Sequence, residues 1–442
     1  MLKMFQLKEH NTTVRTEVLA GVTTFMTMAY ILIVNPQILS AAGMDPGALF
    51  TATAIASVVG TVAMALLANY PFALAPGMGL NAFFAFSVVL GMGYSWQVAL
   101  TAVFVEGLIF LLLSVFNVRE AMFNAIPLDL KYAVSAGIGL FIALIGFVNA
   151  GIVVGDPDTL VTISKEMTQP SIVIAGIGVL LTSILVVKQV KGSILLGILG
   201  TWVVGILAEL GGWYVPDMEN TFSVIPQKII GTVPSLAPIA FQLDFTKLVE
   251  LGFWTVVLSF LFVDVFDTLG TLIGVSSKAG FLDKDGKLPK AKRALLADAI
   301  GTTVGASLGT STVTTYVESA SGVADGGRTG LTSLTTAALF LLALPFAPLF
   351  MAVPAFATAP ALIVVGFYMM ESVLKVDLDN FAKGIPAFLT ILVMPITYSI
   401  SEGIAFGVIS YTVIHLFTGK AKEMHPLMYV LTLLFLLKFI FI

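Results

Sequence analysis

The chain has 442 residues, of which 58% are hydrophobic and 11% charged, and its formal net charge is −4. Soluble domains carry about 25% charged residues, so this chain cannot cover a water-facing surface. Without a basic block it is also no nucleic-acid binder. It has no cysteine, and its three histidines, His10, His415 and His425, lie near the ends. Disulfide frameworks, thiolate metal sites and cysteine nucleophiles are thereby excluded, and no histidine-built zinc site or other metal site is expected.

A membrane-spanning helix needs about 20 mostly apolar residues. Apolar runs fall at 17–39, 48–69, 73–92, 95–116, 131–150, 171–187 and 192–209, followed by a more polar stretch over 210–248. Seven more fall at 249–275, 293–309, 310–325, 329–351, 354–371, 385–400 and 403–418. The predicted fold is therefore an all-α polytopic membrane protein with fourteen transmembrane spans. A last apolar stretch, 427–442, is marginal in length, and it suits a span, a helix on the membrane surface or one packed on the bundle.

Basic residues collect on the cytoplasmic side of membrane proteins. With the N-terminus inside, 18 of the 22 basic residues fall in inner segments, among them Lys3, Arg119, Lys191, Lys284, Lys287 and Arg328. Three (Lys165, Lys228 and Lys247) fall outside, and Lys438 lies in the tail. The segments 151–170 and 210–248 are then external, which suits Asp156, Asp158, Asp217 and Glu219. A multi-pass protein of the cell membrane with a cytoplasmic N-terminus is expected.

Seven spans precede the long outer stretch and seven follow it. An odd number per half gives the halves opposite orientations, the plan of an inverted repeat. The third span of each half is irregular. PFALAPGMGLNAFFAF (71–86) has prolines and glycines ahead of Asn81, and GTSTVTTYVESASG (309–322) is a polar, β-branched run leading to Glu318. Both favour a short extended segment running into a half-helix. Such backbone is tolerated at membrane depth only where it is buried in protein or lines a cavity.

Carboxylates within spans default to functional hypotheses, and five lie well inside: Glu106, Asp264, Asp267, Asp298 and Glu318. Asp264 and Asp267 share one helix face at i, i+3 spacing, with Thr268 and Thr271 extending the polar stripe. Two such carboxylates cannot both ionise cheaply in a low dielectric, which suits a group that takes up and releases a proton. Glu106 and Asp298 lie on otherwise apolar helices and divide evenly between structural and functional roles. Phe83, just after Asn81, offers a ring for stacking on a planar ligand.

Four blocks carry a family resemblance: TEVLAGVTTFMTMAYILIVNP (16–36), APGMGLNAFFAF (75–86), DVFDTLGTLIGVS (264–276) and GTSTVTTYVESASGVADGGRTGL (309–331). In this order they resemble the AzgA-like purine permeases, a branch of the nucleobase–cation symporters that includes the nucleobase–ascorbate transporters. The resemblance implies a seven-plus-seven inverted repeat. A core domain is built from 1–118 and 249–352, and a gate domain from 119–210 and 353–420. The segment 211–248 is an extracellular loop and 421–442 a hydrophobic tail. It implies that Asp267 and Glu318 hold the purine, with Asn81 and Asp264 engaged in binding or proton coupling. The candidate substrate-binding residues are thus Asp267, Glu318, Asn81, Phe83, Thr271, Tyr316 and Ser319. The candidate proton-coupling residues are Asp264, Asp267 and Glu318. Thr271 and Ser319 stand where the wider superfamily often has His and Asn, departures that match the AzgA-like branch.

The expected function is import of purine nucleobases, hypoxanthine and guanine ahead of adenine. Transport is by proton symport, with sodium the alternative coupling ion, and the core moves against the gate like an elevator. No cofactor, no enzymatic activity and a homodimer through the gate are expected. The alternative is an anion transporter or channel of the same fold, against which the carboxylates beside the site argue. An intramembrane aspartyl protease is disfavoured because Asp264 and Asp267 share one helix and a Gly-x-Gly-Asp segment is absent.

Overall fold

Local sequence sets several helix ends in this computed structural model, which describes residues 5–115, 126–216, 223–282 and 288–441. Lys3, Arg119, Asp217, Glu219, Lys284 and Lys287 lie outside the described residues. Thr13 accepts the Thr16 N–H at 3.2 Å to start α1 (Val14–Met28), which is jointed at Ala29 and Tyr30 to α2 (Ile31–Ser40). Asp45 accepts the Ala48 N–H at 2.7 Å to start α3 (Pro46–Leu67), with Pro46 in the first turn, where its missing N–H costs nothing. Strand β1 (Leu74–Pro76) then leads into α4 (Met78–Ala82), which continues as a π-helical stretch over Phe83–Gly91.

Next come α5 (Trp96–Val115), α6 (Leu128–Asn149), the hairpin β2 (Val153–Asp156) and β3 (Leu160–Ile163), α7 (Pro170–Val187) and α8 (Ser193–Leu210). After the long loop come α9 (Leu251–Ala279), α10 (Ala291–Leu308), β4 (Val313–Thr315), α11 (Ser319–Ala324), α12 (Gly330–Ala343) and α13 (Ala347–Met351). The last helices are α14 (Ala355–Met370), α15 (Phe381–Thr397), α16 (Ile400–Phe417) and α17 (Pro426–Phe441). Among the described residues, nine helices are long and apolar enough to cross a membrane. Shorter apolar helices, such as Phe381–Thr397, accompany them. The chain is a multi-pass helical membrane protein.

Helices pack in two groups. In one, α3 lies against α10 and α12, α5 against α9 and α10, and α1 against α11 and α12. In the other, α6 lies against α14 and α15, α15 against α16, and α7 against α8 and α14. Hydrophobic force does not drive helices together in lipid, so close backbone approach does, and glycine permits it. A Cβ on Gly139 of α6 would stand 2.5 Å from the Gly366 carbonyl oxygen of α14. One on Gly301 of α10 would stand 3.2 Å from the Gly60 Cα of α3.

Long-range hydrogen bonds sort the connections into two ends. At one end, Pro234 accepts from the Thr51 hydroxyl at 2.9 Å, the Gly231 N–H donates to Pro345 at 2.9 Å and the Phe241 N–H donates to Ser307 at 2.8 Å. At the other, Lys191 pairs with Asp325, and the buried Glu17 of α1 caps the start of α12. Glu17 accepts the N–H groups of Arg328 (3.0 Å), Thr329 (3.2 Å) and Thr332 (3.3 Å) and the Thr332 hydroxyl (2.6 Å). The final apolar stretch packs on the bundle. Met428, Leu431 and Phe435 of α17 are buried, and the Thr432 hydroxyl donates to that of Thr412 on α16 at 2.7 Å.

Candidate functional site

The two predicted extended segments meet as an antiparallel pair, with Leu74 opposite Thr315, Ala75 opposite Thr314 and Pro76 opposite Val313. The Gly77 N–H donates to Thr312 at 3.0 Å and the Tyr316 N–H to Ala73 at 2.9 Å, extending the ladder at both ends. A two-stranded sheet buried inside a helix bundle has outer backbone groups that need partners. Threonines on the preceding helices supply them. Thr61 of α3 accepts the Leu74 N–H at 2.9 Å and donates to the Leu74 carbonyl at 3.1 Å. Thr302 of α10 does the same for Val313, at 3.2 Å and 3.0 Å. Each threonine follows a glycine (Gly60, Gly301) that lets the strand lie against its helix. Gly309, at φ +100°, turns the chain from α10 towards β4, a conformation that favours glycine.

Around this crossing lie the acids, in two layers. Asp264, Asp298 and Glu106 are fully buried. Thr268 Oγ1 lies 2.9 Å from Asp264 Oδ1 and 2.9 Å from Asp298 Oδ1, linking α9 to α10. The Thr312 hydroxyl donates to Glu106 Oε2 at 2.9 Å, tying α5 to the run before β4. Asp267 and Glu318 are instead partly exposed, as is Thr271, and Val317 beside Glu318 is 56% exposed. Asp267 accepts from the Thr314 hydroxyl of β4 at 3.4 Å. Glu318, the residue before α11, accepts from the Tyr30 phenol at 2.6 Å.

The other candidate residues support the crossing from behind. Asn81 is buried; its amide donates to the Pro76 carbonyl at 3.5 Å, and its oxygen accepts from the Ser311 hydroxyl. Tyr316 is 5% exposed and donates to the Pro76 carbonyl at 2.6 Å. Ser319 is buried and accepts the Ala73 N–H at 3.0 Å. Phe83 is also fully buried, packed edge-on against Phe260 with ring centroids 4.8 Å apart.

Sequence reasoning missed Tyr30, Thr61 and Thr302, and left Glu106 and Asp298 evenly divided. Thr61 and Thr302 each follow a glycine, but Gly-Thr also occurs at 200–201, 231–232, 270–271 and 309–310, so the pairs did not stand out. Tyr30 carried none, because it sits inside an apolar run.

Interrupted helices that hold carboxylates in the interior of an apolar bundle are a plan that membrane transport proteins use. The chain belongs to the Permease family (Xan_ur_permease), whose profile matches residues 15–406. It is 49% identical over 453 residues to the guanine/hypoxanthine permease PbuG of Bacillus subtilis, covering 100% of both chains. It is 43% identical over 440 residues to the adenine permease AdeP of Escherichia coli, covering 100% of this chain and 96% of that one. Among solved structures, the transmembrane domain of the cyanobacterial bicarbonate transporter BicA is similar in fold. It matches with a TM-score of 0.62 at 18% identity, over 89% of this chain and 97% of that one.

Proposed function

We propose that this permease imports purine nucleobases across the cell membrane by proton symport, with guanine and hypoxanthine ahead of adenine. The observation that carries this is the layering of the acids. Asp267 and Glu318 are partly exposed beside the strand crossing, while the fully buried Asp264 and Asp298 share Thr268. A purine presents N–H donors on a flat edge, which two carboxylates from different helices can accept. The full-length similarity to permeases named for guanine, hypoxanthine and adenine points the same way.

The rear layer suits the coupling proton. A hydroxyl has one hydrogen, so Thr268 donates to one carboxylate at a time. Its other contact is a hydrogen bond only when that carboxyl carries a proton and donates in turn. Proton uptake in this layer favours purine binding in front, and the α1–α5 and α9–α12 group moves against the α6–α8 and α14–α16 group to expose the site inward. These groups act as core and gate, in fourteen spans of a seven-plus-seven inverted repeat. The N-terminus is cytoplasmic, and two copies pair through the gate. The matched Gly-Thr pairs that brace β1 and β4 support the repeat.

The test is uptake of labelled guanine, hypoxanthine and adenine by cells lacking their own carriers, with a pH gradient imposed or collapsed. Asp267→Asn and Glu318→Gln are each expected to abolish uptake. Full gradient-driven uptake by both variants would sink the assignment. The fold likeness to a bicarbonate transporter favours a second reading, anion transport. Two partly exposed carboxylates beside the crossing oppose it, and competition by bicarbonate in the same assay separates the two.

A further inference from the structure

We propose that Tyr30 is a positioning residue of this site, which holds Glu318 as a hydrogen-bond acceptor and so selects ligands that offer it an N–H. The inference rests on the purine-transport reading. Tyr30 forms the joint between α1 and α2, and its carbonyl accepts the N–H groups of Ile33 and Val34 at 3.0 Å each. It lies 288 residues from Glu318 in the chain, yet its phenol donates to Glu318 Oε1 at 2.6 Å. That is a short hydrogen bond between two oxygens. The Thr27 hydroxyl, one turn earlier on α1, reaches the Glu318 carbonyl at 3.4 Å.

The geometry separates holding from binding. Tyr30 is 1% exposed, whereas Glu318 is partly exposed beside the open Val317. The phenol therefore approaches the carboxyl from the packed side. Its single hydrogen occupies one lone pair of Oε1, which leaves Oε2 and the other lone pair of Oε1 to a ligand. A carboxyl held this way accepts from the ligand. Released from the phenol, it is free to turn and to offer a proton of its own. A phenylalanine would fill the same apolar space, so the hydroxyl is the part of Tyr30 that acts on the ligand.

Tyr30→Phe isolates that hydroxyl. A hydrogen bond to a charged group, once lost, changes an equilibrium by about tenfold or more. Uptake of guanine and hypoxanthine by the variant is expected to show KM raised about tenfold, with maximal rate within about twofold of the parent and unchanged melting of the purified protein. A parental KM, or a fall in maximal rate alone, would overturn the proposal. A second measurement needs no purine: labelling of Glu318 by a membrane-permeant carbodiimide, followed by peptide mass spectrometry. Tyr30→Phe should speed labelling of Glu318 severalfold and leave Asp267 as in the parent. Equal Glu318 rates, or equal changes at both acids, would overturn it. If the parent takes up no purine, the transport reading fails, and the labelling still decides whether Tyr30 controls Glu318.

Discussion

Replacing Thr268 by valine exchanges one hydroxyl for a methyl group between two buried carboxyls. The hydroxyl oxygen stands 2.9 Å from both Asp264 and Asp298, and its single hydrogen serves one of them at a time. One hydrogen bond to a charged group is worth about 1.5–3 kcal/mol net. At about 1.4 kcal/mol per factor of ten, its loss corresponds to roughly 10- to 150-fold in an equilibrium between protonated and deprotonated clusters. Initial rates of purine uptake across external pH, normalised to folded protein, are the assay. Thr268→Val should transport at least about tenfold more slowly at its best pH, with a changed dependence on pH. Thr268→Ser keeps the hydroxyl and should stay within a few-fold of the parent. Parental uptake by Thr268→Val at every pH would refute the shared-proton reasoning. A lower melting temperature with normal uptake per folded molecule would make the bridge structural only.

Two further outcomes concern assembly of the bundle. Gly139→Ala sets a methyl group 2.5 Å from the Gly366 carbonyl oxygen and 2.7 Å from the Met370 nitrogen, both backbone atoms that cannot swing away. Overpacking of this kind costs about 1–3 kcal/mol, so the melting temperature of the purified protein should fall. An unchanged one would mean that α6 and α14 separate freely. Glu17→Ala strips the acceptor from three backbone N–H groups at the start of α12, each buried donor left unmet costing about 1–3 kcal/mol. Reduced yield of monodisperse protein is expected, with partial recovery in Glu17→Gln. Parental yield and melting for Glu17→Ala would show that water replaces the cap.

The apolar runs were legible because hydropathy is a local property, and each contains a helix or a strand–helix unit in the structure. The two interruptions were legible for the same reason. Proline and glycine at 71–79 and β-branched residues at 310–315 disfavour continuous helix wherever they occur. Their pairing with each other, and the roles of Thr61 and Thr302, needed contacts between segments 13 and 11 residues apart and others more than 200 apart. Phe83 shows the limit of local reasoning. Its ring looked available to a planar ligand, but Phe260, on a helix remote in sequence, packs against it.

Local properties of the chain suffice to read a membrane protein with interrupted helices and five carboxylates within its apolar runs. Charge content, run length and backbone preference act residue by residue. Which of those carboxylates is fully buried and which is partly exposed depends on how the helices pack. The polar stripe of Asp264, Asp267, Thr268 and Thr271 marks an inward face, but not which neighbouring element packs against each of its residues. Asp264 and Asp267 are three residues apart on one helix, yet Asp264 is fully buried while Asp267 is partly exposed beside β4.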